Sequence, residues 1–198
     1  MIDGIPEGWR KTIIGDLTSF ISRGITPKYE DEASGLIINQ KCIRNHLLNL
    51  SLARHQKKDV PENKLVQFGD VLVNSTGTGT LGRVAQVIED IENCTVDSHV
   101  TIVRPKTNEL IFYLGLLLTA IESQLAEMGQ GATNQTELSR AAIAAIPALL
   151  PPEFLITELS DFAKDVFRQI GILATQNEKL REARDLLLPR LMNGSIAV

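Results

Sequence analysis

The sequence predicts a mixed α/β (α+β) domain over residues 1–150, followed by a long helical arm over residues 151–198. Two observations lead to this prediction. Short apolar runs bounded by turn residues are typical of β-strands, and they recur through residues 35–103. After Pro151-Pro152, by contrast, apolar residues alternate at spacings of three and four, which is typical of a helix that pairs with another helix.

Composition and length are those of an ordinary globular protein. The chain has 198 residues, is 43% hydrophobic and 22% charged, and carries a net charge of −4. The longest apolar run, residues 110–121, is too short to span a bilayer, and residues 1–12 lack the apolar stretch of a signal peptide. The two cysteines have no metal-ligand spacing. We therefore expect a cytoplasmic protein that binds no metal.

The predicted elements follow from local patterns. The strand-like runs are residues 35–39, 71–73, 83–88 and 100–103. Residues 110–128 are predicted to form a helix that ends at the glycine-containing segment 129–131. Residues 143–150 contain a proline and fit either an extended edge strand or a link. The two prolines that follow suit the first turn of the final helix.

The glycine-rich segment Gly77-Thr78-Gly79-Thr80-Leu81-Gly82 fits the G-x-G-x-x-G pattern of dinucleotide-binding proteins. That site requires a helix directly after the glycines, whereas residues 83–88 are strand-like. A tight hairpin loop is therefore predicted. Leu150-Pro151-Pro152-Glu153 lacks the polar first residue of the amino-methyltransferase tetrapeptide. With no Walker loop, zinc spacing, nucleophile elbow or nuclease pattern either, we expect no catalytic site.

Three segments are candidates for contact with DNA. Residues 41–64 carry six basic residues against two acidic ones, which suits contact with phosphates. Residues 74–80 and 129–136 are polar, glycine-containing loops whose Asn, Gln and Thr side chains can hydrogen-bond base edges. The alternatives are a solvated basic surface, a hairpin without function and a helix cap. The candidate DNA-contacting residues are Lys41, Arg44, Lys57, Lys58, Asn74, Ser75, Thr76, Thr78, Thr80, Arg83, Thr133, Asn134, Gln135 and Thr136.

The helical arm presents one continuous apolar seam. A helix over residues 153–188 would be roughly 50–55 Å long at 1.5 Å per residue. A seam of that length needs another helix against it. Asn177 and Arg184 interrupt the seam, and Asn177 is either a register-setting residue or a tolerated polar one. The predicted dimer interface consists of Leu159, Ala163, Val166, Ile170, Leu173, Asn177, Leu180 and Leu187.

Taken together, these segments resemble the DNA-specificity (S) subunit of type I restriction–modification systems. Their order and spacing cover essentially the whole chain. The segments that carry the resemblance are Gly8-Trp9-Arg10, residues 68–72, residues 76–85, residues 146–152 and residues 188–194.

The resemblance implies an α/β target recognition domain that reads one half of a bipartite DNA sequence. It also implies that the long helix packs antiparallel against a second such helix, as in an antiparallel coiled coil. Typical family members hold two recognition domains and two helices in one chain, whereas this sequence has one of each. It therefore resembles a half-length S subunit, or a fragment that carries one half.

The resemblance further implies a non-catalytic, DNA-binding role. The chain would direct methyltransferase (modification) subunits, which bind S-adenosylmethionine, and a restriction/translocase subunit to double-stranded DNA, and would itself bind no cofactor. If two copies pair through their helices, a rod of about 50 Å corresponds to roughly 12–15 base pairs between half-site centres. The competing hypothesis is a scaffold protein whose helix binds a partner and whose α/β domain has no DNA specificity.

Overall fold

A computed structural model describes residues 5–129 and 137–195. It divides into two compact units, Met1–Asp161 and Phe162–Val198. The strands are β1 (Arg10–Ile13), β2 (Thr18–Arg23), β3 (Gly35–Ile38), β4 (Ile43–Arg44), β5 (Leu47–Leu48), β6 (Arg54–Gln56), β7 (Val71–Asn74), β8 (Val84–Gln86), β9 (Cys94–Val96), β10 (Val100–Pro105) and β11 (Pro147–Leu150). The α-helices are α1 (Leu110–Ala120), α2 (Glu122–Glu127), α3 (Arg140–Ala144) and α4 (Glu153–Met192).

The first unit is built on an antiparallel four-stranded sheet in the order β2-β10-β7-β8. Both faces of this sheet are covered by apolar side chains. One strand can contribute to both faces, because its successive residues point to opposite sides. Val71 and Val73 pack with Leu114 of α1 on one face, whereas Leu72 and Ile102 belong to a second apolar cluster on the other. Burial on both faces explains why β7 consists almost entirely of apolar residues.

Three smaller pairings complete this unit. Strands β6, β3 and β9 form a second sheet, in which β3 and β9 are parallel. Strands β1 and β11 pair antiparallel, with Arg10 opposite Leu150. Strands β4 and β5 form a hairpin whose two loop residues, Asn45 and His46, have φ values of 54° and 61°. Two consecutive positive φ values match the type I′ turn, whose twist suits a two-residue hairpin.

The predicted strands are confirmed, and two predicted segments prove to be divided. The four strand-like runs correspond to β3, β7, β8 and β10. The predicted single helix over residues 110–128 breaks at Ile121, whose φ and ψ of −104° and 16° leave the helical region, and so forms α1 and α2. Residues 143–150 contain the end of α3 and the edge strand β11, which begins at Pro147. A proline fits there because it cannot donate within a ladder.

Helix α4 contains 40 residues, which corresponds to about 60 Å. It continues past the predicted end at Leu188, and Pro189 lies in its last turn. The helix ends where Gly194, with a φ of 72°, lets the Ser195 N–H donate to the Arg190 carbonyl at 2.9 Å. This is the Schellman arrangement, for which glycine is favoured because it adopts positive φ without steric cost. In the part of the chain that the structure describes, no helix is both long and apolar enough to cross a membrane.

Gly24 lies where β2 leaves the central sheet, against the backbone of β9. A Cβ atom at this position would lie 1.8 Å from the Val96 carbonyl oxygen. We expect Gly24→Ala to lower the free energy of unfolding by about 3 kcal/mol, because backbone atoms would have to move. Gly79→Ala is the control, since its Cβ would have no neighbour within 4 Å and only its positive φ would cost about 1 kcal/mol. If urea denaturation shows the same loss of unfolding free energy for Gly24→Ala and Gly79→Ala, the steric explanation is contradicted.

Candidate nucleic-acid interface

One end of the central sheet collects the polar segments that the sequence singled out. Strand β2 ends at Arg23, β7 ends at Asn74 and β10 begins at Val100. Because β10 pairs antiparallel with both neighbours, these three termini lie at the same end of the sheet. We call this the loop end. The segments adjoining the three strands therefore meet there, although they are far apart in the sequence.

Residues 74–83, which we call the glycine loop, run from the last residue of β7 to the residue before β8, at the loop end. The loop closes where the Gly82 N–H donates to the Asn74 carbonyl at 2.8 Å. Gly77 and Gly79 have φ values of 103° and 75°, which glycine adopts readily. A strand follows the loop, as predicted. The loop therefore cannot place a helix N-terminus against a pyrophosphate, as dinucleotide binding requires.

A side-chain network from two other segments holds the glycine loop in place. The Gln40 amide donates to the Thr76 carbonyl and, at 3.1 Å, to Thr76 Oγ1. The same hydroxyl lies 2.7 Å from Nδ1 of the exposed His99. The backbone N–H of His99 donates to Asp97 Oδ1 at 2.9 Å, and this bond opposes the rise that burial causes in the pKa of Asp97. Sequence reasoning missed Gln40 and His99, since no local pattern links them to the loop.

The structure corrects two predicted DNA-contacting residues. Asn74 and Ser75 are completely buried. The Asn74 amide donates to the Gln40 carbonyl at 3.1 Å, and Ser75 Oγ lies 2.5 Å from Thr101 Oγ1. Neither side chain is in a position to reach a base edge. The two residues instead support the base of the glycine loop.

The remaining predicted residues of the glycine loop stay near the surface. Thr78 is exposed, whereas Thr76, Thr80 and Arg83 are half-buried. Thr80 Oγ1 donates to carbonyls within the loop at 3.3 Å. Arg83 donates from Nη2 to the Gly79 carbonyl at 2.8 Å and so braces the loop. Thr78 is therefore the side chain of the loop that is best placed to meet a partner.

The basic residues of segment 41–64 differ in their contacts. Lys41 is exposed and adjoins Gln40, while Arg44 is exposed on the β4–β5 hairpin. Lys57 forms an ion pair with Glu30, and Lys58 Nζ donates to the Thr26 carbonyl at 3.3 Å. Among these four residues, Lys41 is the one that directly follows Gln40, whose side chain contacts Thr76 of the glycine loop.

The second polar loop lies partly outside the described residues. Thr133, Asn134, Gln135 and Thr136 cannot be placed, because the described chain resumes at residue 137. The residues that follow are at the loop end. Thr76 forms a β-bridge with Glu137, and the Leu138 N–H donates to the Ser75 carbonyl at 2.9 Å. Glu137 and Leu138 therefore lie directly beside the glycine loop.

The described residues contain no reactive thiol and no cluster of three or more side chains suited to a metal ion. Both cysteines are buried. Burial raises the pKa of Cys94 to about 12, and it raises the pKa of Cys42 as well. Burial and a raised pKa both make a thiol a poorer nucleophile.

The seam of α4 is largely exposed in the single chain. Leu173, Leu180 and Leu187 are 55%, 67% and 47% exposed. Val166 is exposed and Asn177 lies among exposed residues, whereas Leu159 and Ile170 are half-buried. Ala163 is an exception: it is 3% exposed and offers little surface to a partner. Leu173, Leu180 and Leu187 thus form an exposed apolar row along one helix.

Comparison with known proteins relates this arrangement to one family. No family profile matches the chain. The chain is 26% identical to the type I restriction enzyme HindI specificity subunit of Haemophilus influenzae, with the similarity covering 97% of this chain and 42% of that protein. The chain therefore spans less than half the length of this curated relative.

Solved structures share the fold over nearly the whole chain. An S subunit of a type I restriction–modification system from M. genitalium aligns with a TM-score of 0.64 at 13% identity, covering 96% of this chain and 47% of that one. The HsdS subunit from Thermoanaerobacter tengcongensis aligns with a TM-score of 0.58 at 15% identity, covering 98% of this chain and 47% of that one. A chain from a structure of a type I R-M system aligns with a TM-score of 0.62 at 18% identity, covering 96% of this chain and 47% of that one. The resemblance predicted from the sequence is thus confirmed: the chain is similar, in sequence and in its α+β fold with a long C-terminal helix, to one half of a type I restriction–modification specificity subunit.

Proposed function

We propose that this chain is a non-catalytic, sequence-specific DNA-binding subunit of a type I restriction–modification system. It directs methyltransferase subunits, which bind S-adenosylmethionine, and a restriction/translocase subunit to a bipartite target. The observation that carries the proposal is the similarity to a specificity subunit across 97% of the chain. The loop end supplies a site suited to this role, since exposed Thr78 and Lys41 lie near the polar network around Thr76.

We further propose that two copies pair through α4. The exposed leucines of the seam support pairing, because burying each one contributes about 1.5–3 kcal/mol. An antiparallel pair has twofold symmetry, so the two recognition domains read identical half-sites in opposite orientations. The target is then a palindrome with an unread spacer. A rod of about 60 Å, the length of α4, corresponds to roughly 18 base pairs between half-site centres at the 3.4 Å rise of DNA, somewhat more than the roughly 12–15 expected from the shorter predicted helix.

Methylome sequencing tests this function directly. Cells that express the chain with its methyltransferase should acquire methylation at one bipartite, palindromic motif that is absent without the chain. Methylation at a continuous or asymmetric motif would contradict pairing of two identical chains. If the chain changes no methylation and a purified complex shows no sequence preference in a gel shift, the scaffold hypothesis is favoured instead.

A further inference from the structure

A cleft of about 470 Å³ opens at the loop end of the central sheet, beside the glycine loop. Three cationic side chains line it, those of Arg23, Lys64 and Arg140, together with the carboxylate of Glu137. They come from three separate stretches of the chain, around residues 23, 64 and 137–140, which lie together at the loop end. Three cations against one carboxylate make the cleft electropositive on a protein whose net charge is −4.

The three cations differ in how many of their donors are already engaged. Arg23 Nη2 lies 2.8 Å from Glu137 Oε1 and donates to the Leu138 carbonyl at 3.2 Å, so this side chain mainly builds the wall of the cleft. Lys64 uses one of its three N–H groups on the Gly24 carbonyl at 3.0 Å.

Arg140 is the most available of the three. It is exposed, and within the described residues its side chain makes no hydrogen bond or ion pair. A guanidinium carries five N–H donors in a planar fork that matches two oxygens of a phosphate group. Lys64 and Arg140 therefore offer positive charge and unused donors on the same cleft.

We propose that this cleft binds a phosphodiester group of the DNA backbone through Lys64 and Arg140. The inference rests on the proposed DNA-binding function. It adds Arg140, which lies outside the predicted segments, and assigns Lys64 of the basic segment 41–64 to a particular site. A phosphate held here fixes the register of the duplex, and the neighbouring Thr76–Thr80 segment then faces the base edges. Glu137 opposes the phosphate through its charge while it holds Arg23 in place.

Two substitutions of opposite sign follow from this geometry. Arg140→Gln removes a cation, and we expect affinity for DNA to fall about three- to tenfold, equally for a cognate and a scrambled duplex. The slope of log affinity against log salt should become shallower by about 0.9, because one fewer counterion is released. Glu137→Gln removes the opposing carboxylate and frees Arg23, so we expect affinity to rise for both duplexes.

The experiment measures fluorescence anisotropy of labelled duplexes with the chain assembled with its methyltransferase, over a series of salt concentrations. Lys106→Gln is the matched control, because it also removes one positive charge, from an exposed position at the end of the central sheet opposite the loop end. It should leave both affinity and slope unchanged. Thermal denaturation should be the same for Arg140→Gln and the wild type, since the Arg140 side chain has no described partner to lose.

Three results would overturn the assignment. If the wild type binds its cognate duplex while Arg140→Gln and Glu137→Gln both behave like Lys106→Gln, the cleft is not a DNA contact, and the proposed function survives. If Arg140→Gln changes only the preference between duplexes, Arg140 reads bases and not the backbone. If inorganic phosphate stabilises the wild type but not Arg140→Gln, and DNA affinity is unaffected, the cleft binds free anions. A wild type that binds neither duplex contradicts the proposed function itself.

Discussion

Asp70→Ala is expected to lower the free energy of unfolding by about 3–5 kcal/mol, because it leaves the charge of Arg104 without its partner in a largely buried site. Asp70 is completely buried, and the side chain of Arg104 is 14% exposed. Two parallel bonds of 2.8 Å join them, from Arg104 Nε to Oδ1 and from Nη2 to Oδ2. Burial raises the pKa of Asp70, and its bonds to Arg104 oppose that rise.

The pair also links segments that pack around the central sheet. Arg104 donates from Nη2 to the Leu65 carbonyl at 2.8 Å, and Asp70 Oδ2 accepts from the Gln67 N–H at 2.8 Å. Removing the carboxylate therefore loosens the turn before β7 as well. Urea denaturation followed by circular dichroism measures the loss.

The matched control breaks an exposed ion pair in the same unit. Lys57 and Glu30 are 41% and 44% exposed, so Glu30→Ala should cost less than about 1 kcal/mol. If Asp70→Ala and Glu30→Ala lower the free energy of unfolding equally, the buried pair contributes no more to stability than the exposed one. A loss confined to Asp70→Ala would confirm that it does.

Leu173→Glu is expected to dissociate the proposed dimer. The midpoint of α4, which runs from Glu153 to Met192, falls between Ile172 and Leu173. In an antiparallel pair that overlaps along its whole length, the two copies of residue 173 therefore lie near the twofold axis. The substitution replaces two leucines by two carboxylates at that point. Loss of the two apolar side chains alone costs about 3–6 kcal/mol per dimer.

That loss corresponds to a dissociation constant higher by about two to four orders of magnitude. Sedimentation equilibrium over a range of concentrations measures it. Methylation of the bipartite motif should be lost in parallel, because a single recognition domain reads only one half-site. The circular dichroism spectrum of the variant reports whether α4 remains helical, and a dimer with unchanged affinity would contradict the proposed interface.

Thr175→Glu is the control for this experiment. Residue 175 is two positions beyond Leu173, which places it about 200° around the helix and away from the seam. It is exposed and adds the same single charge to each chain. The dimer should persist in this variant. Dissociation of both variants would indicate a general effect of charge on α4 and not a specific seam.

Local patterns in the sequence were sufficient for most of the secondary structure. The apolar runs at residues 71–73 and 100–103 predict β7 and β10 because strands buried on both faces need continuous apolar residues. The strand after the glycine loop excludes a dinucleotide site. The break at Ile121 escaped prediction, since the apolar pattern continues through it.

The candidate site was predicted less completely than the fold. The glycine loop was recognised from its glycines and threonines, but burial of Asn74 and Ser75 reversed the role proposed for two of its residues. A sequence pattern shows that a polar side chain follows a strand. It does not show whether the side chain faces solvent or a neighbouring segment.

The hairpin around the glycine loop and the long helix with its apolar seam follow from the sequence alone, because each depends on residues close together in the chain. The resemblance to a specificity subunit follows from it too, because it rests on the order and spacing of short segments along the chain. Only the tertiary structure placed Gln40 and His99 against Thr76, and Lys64 and Arg140 on one cleft. The residues brought together in this way are separated by 23 to 76 positions in the sequence. Their proximity depends on which strands pair and where each strand ends. The local spacing of residues predicts neither.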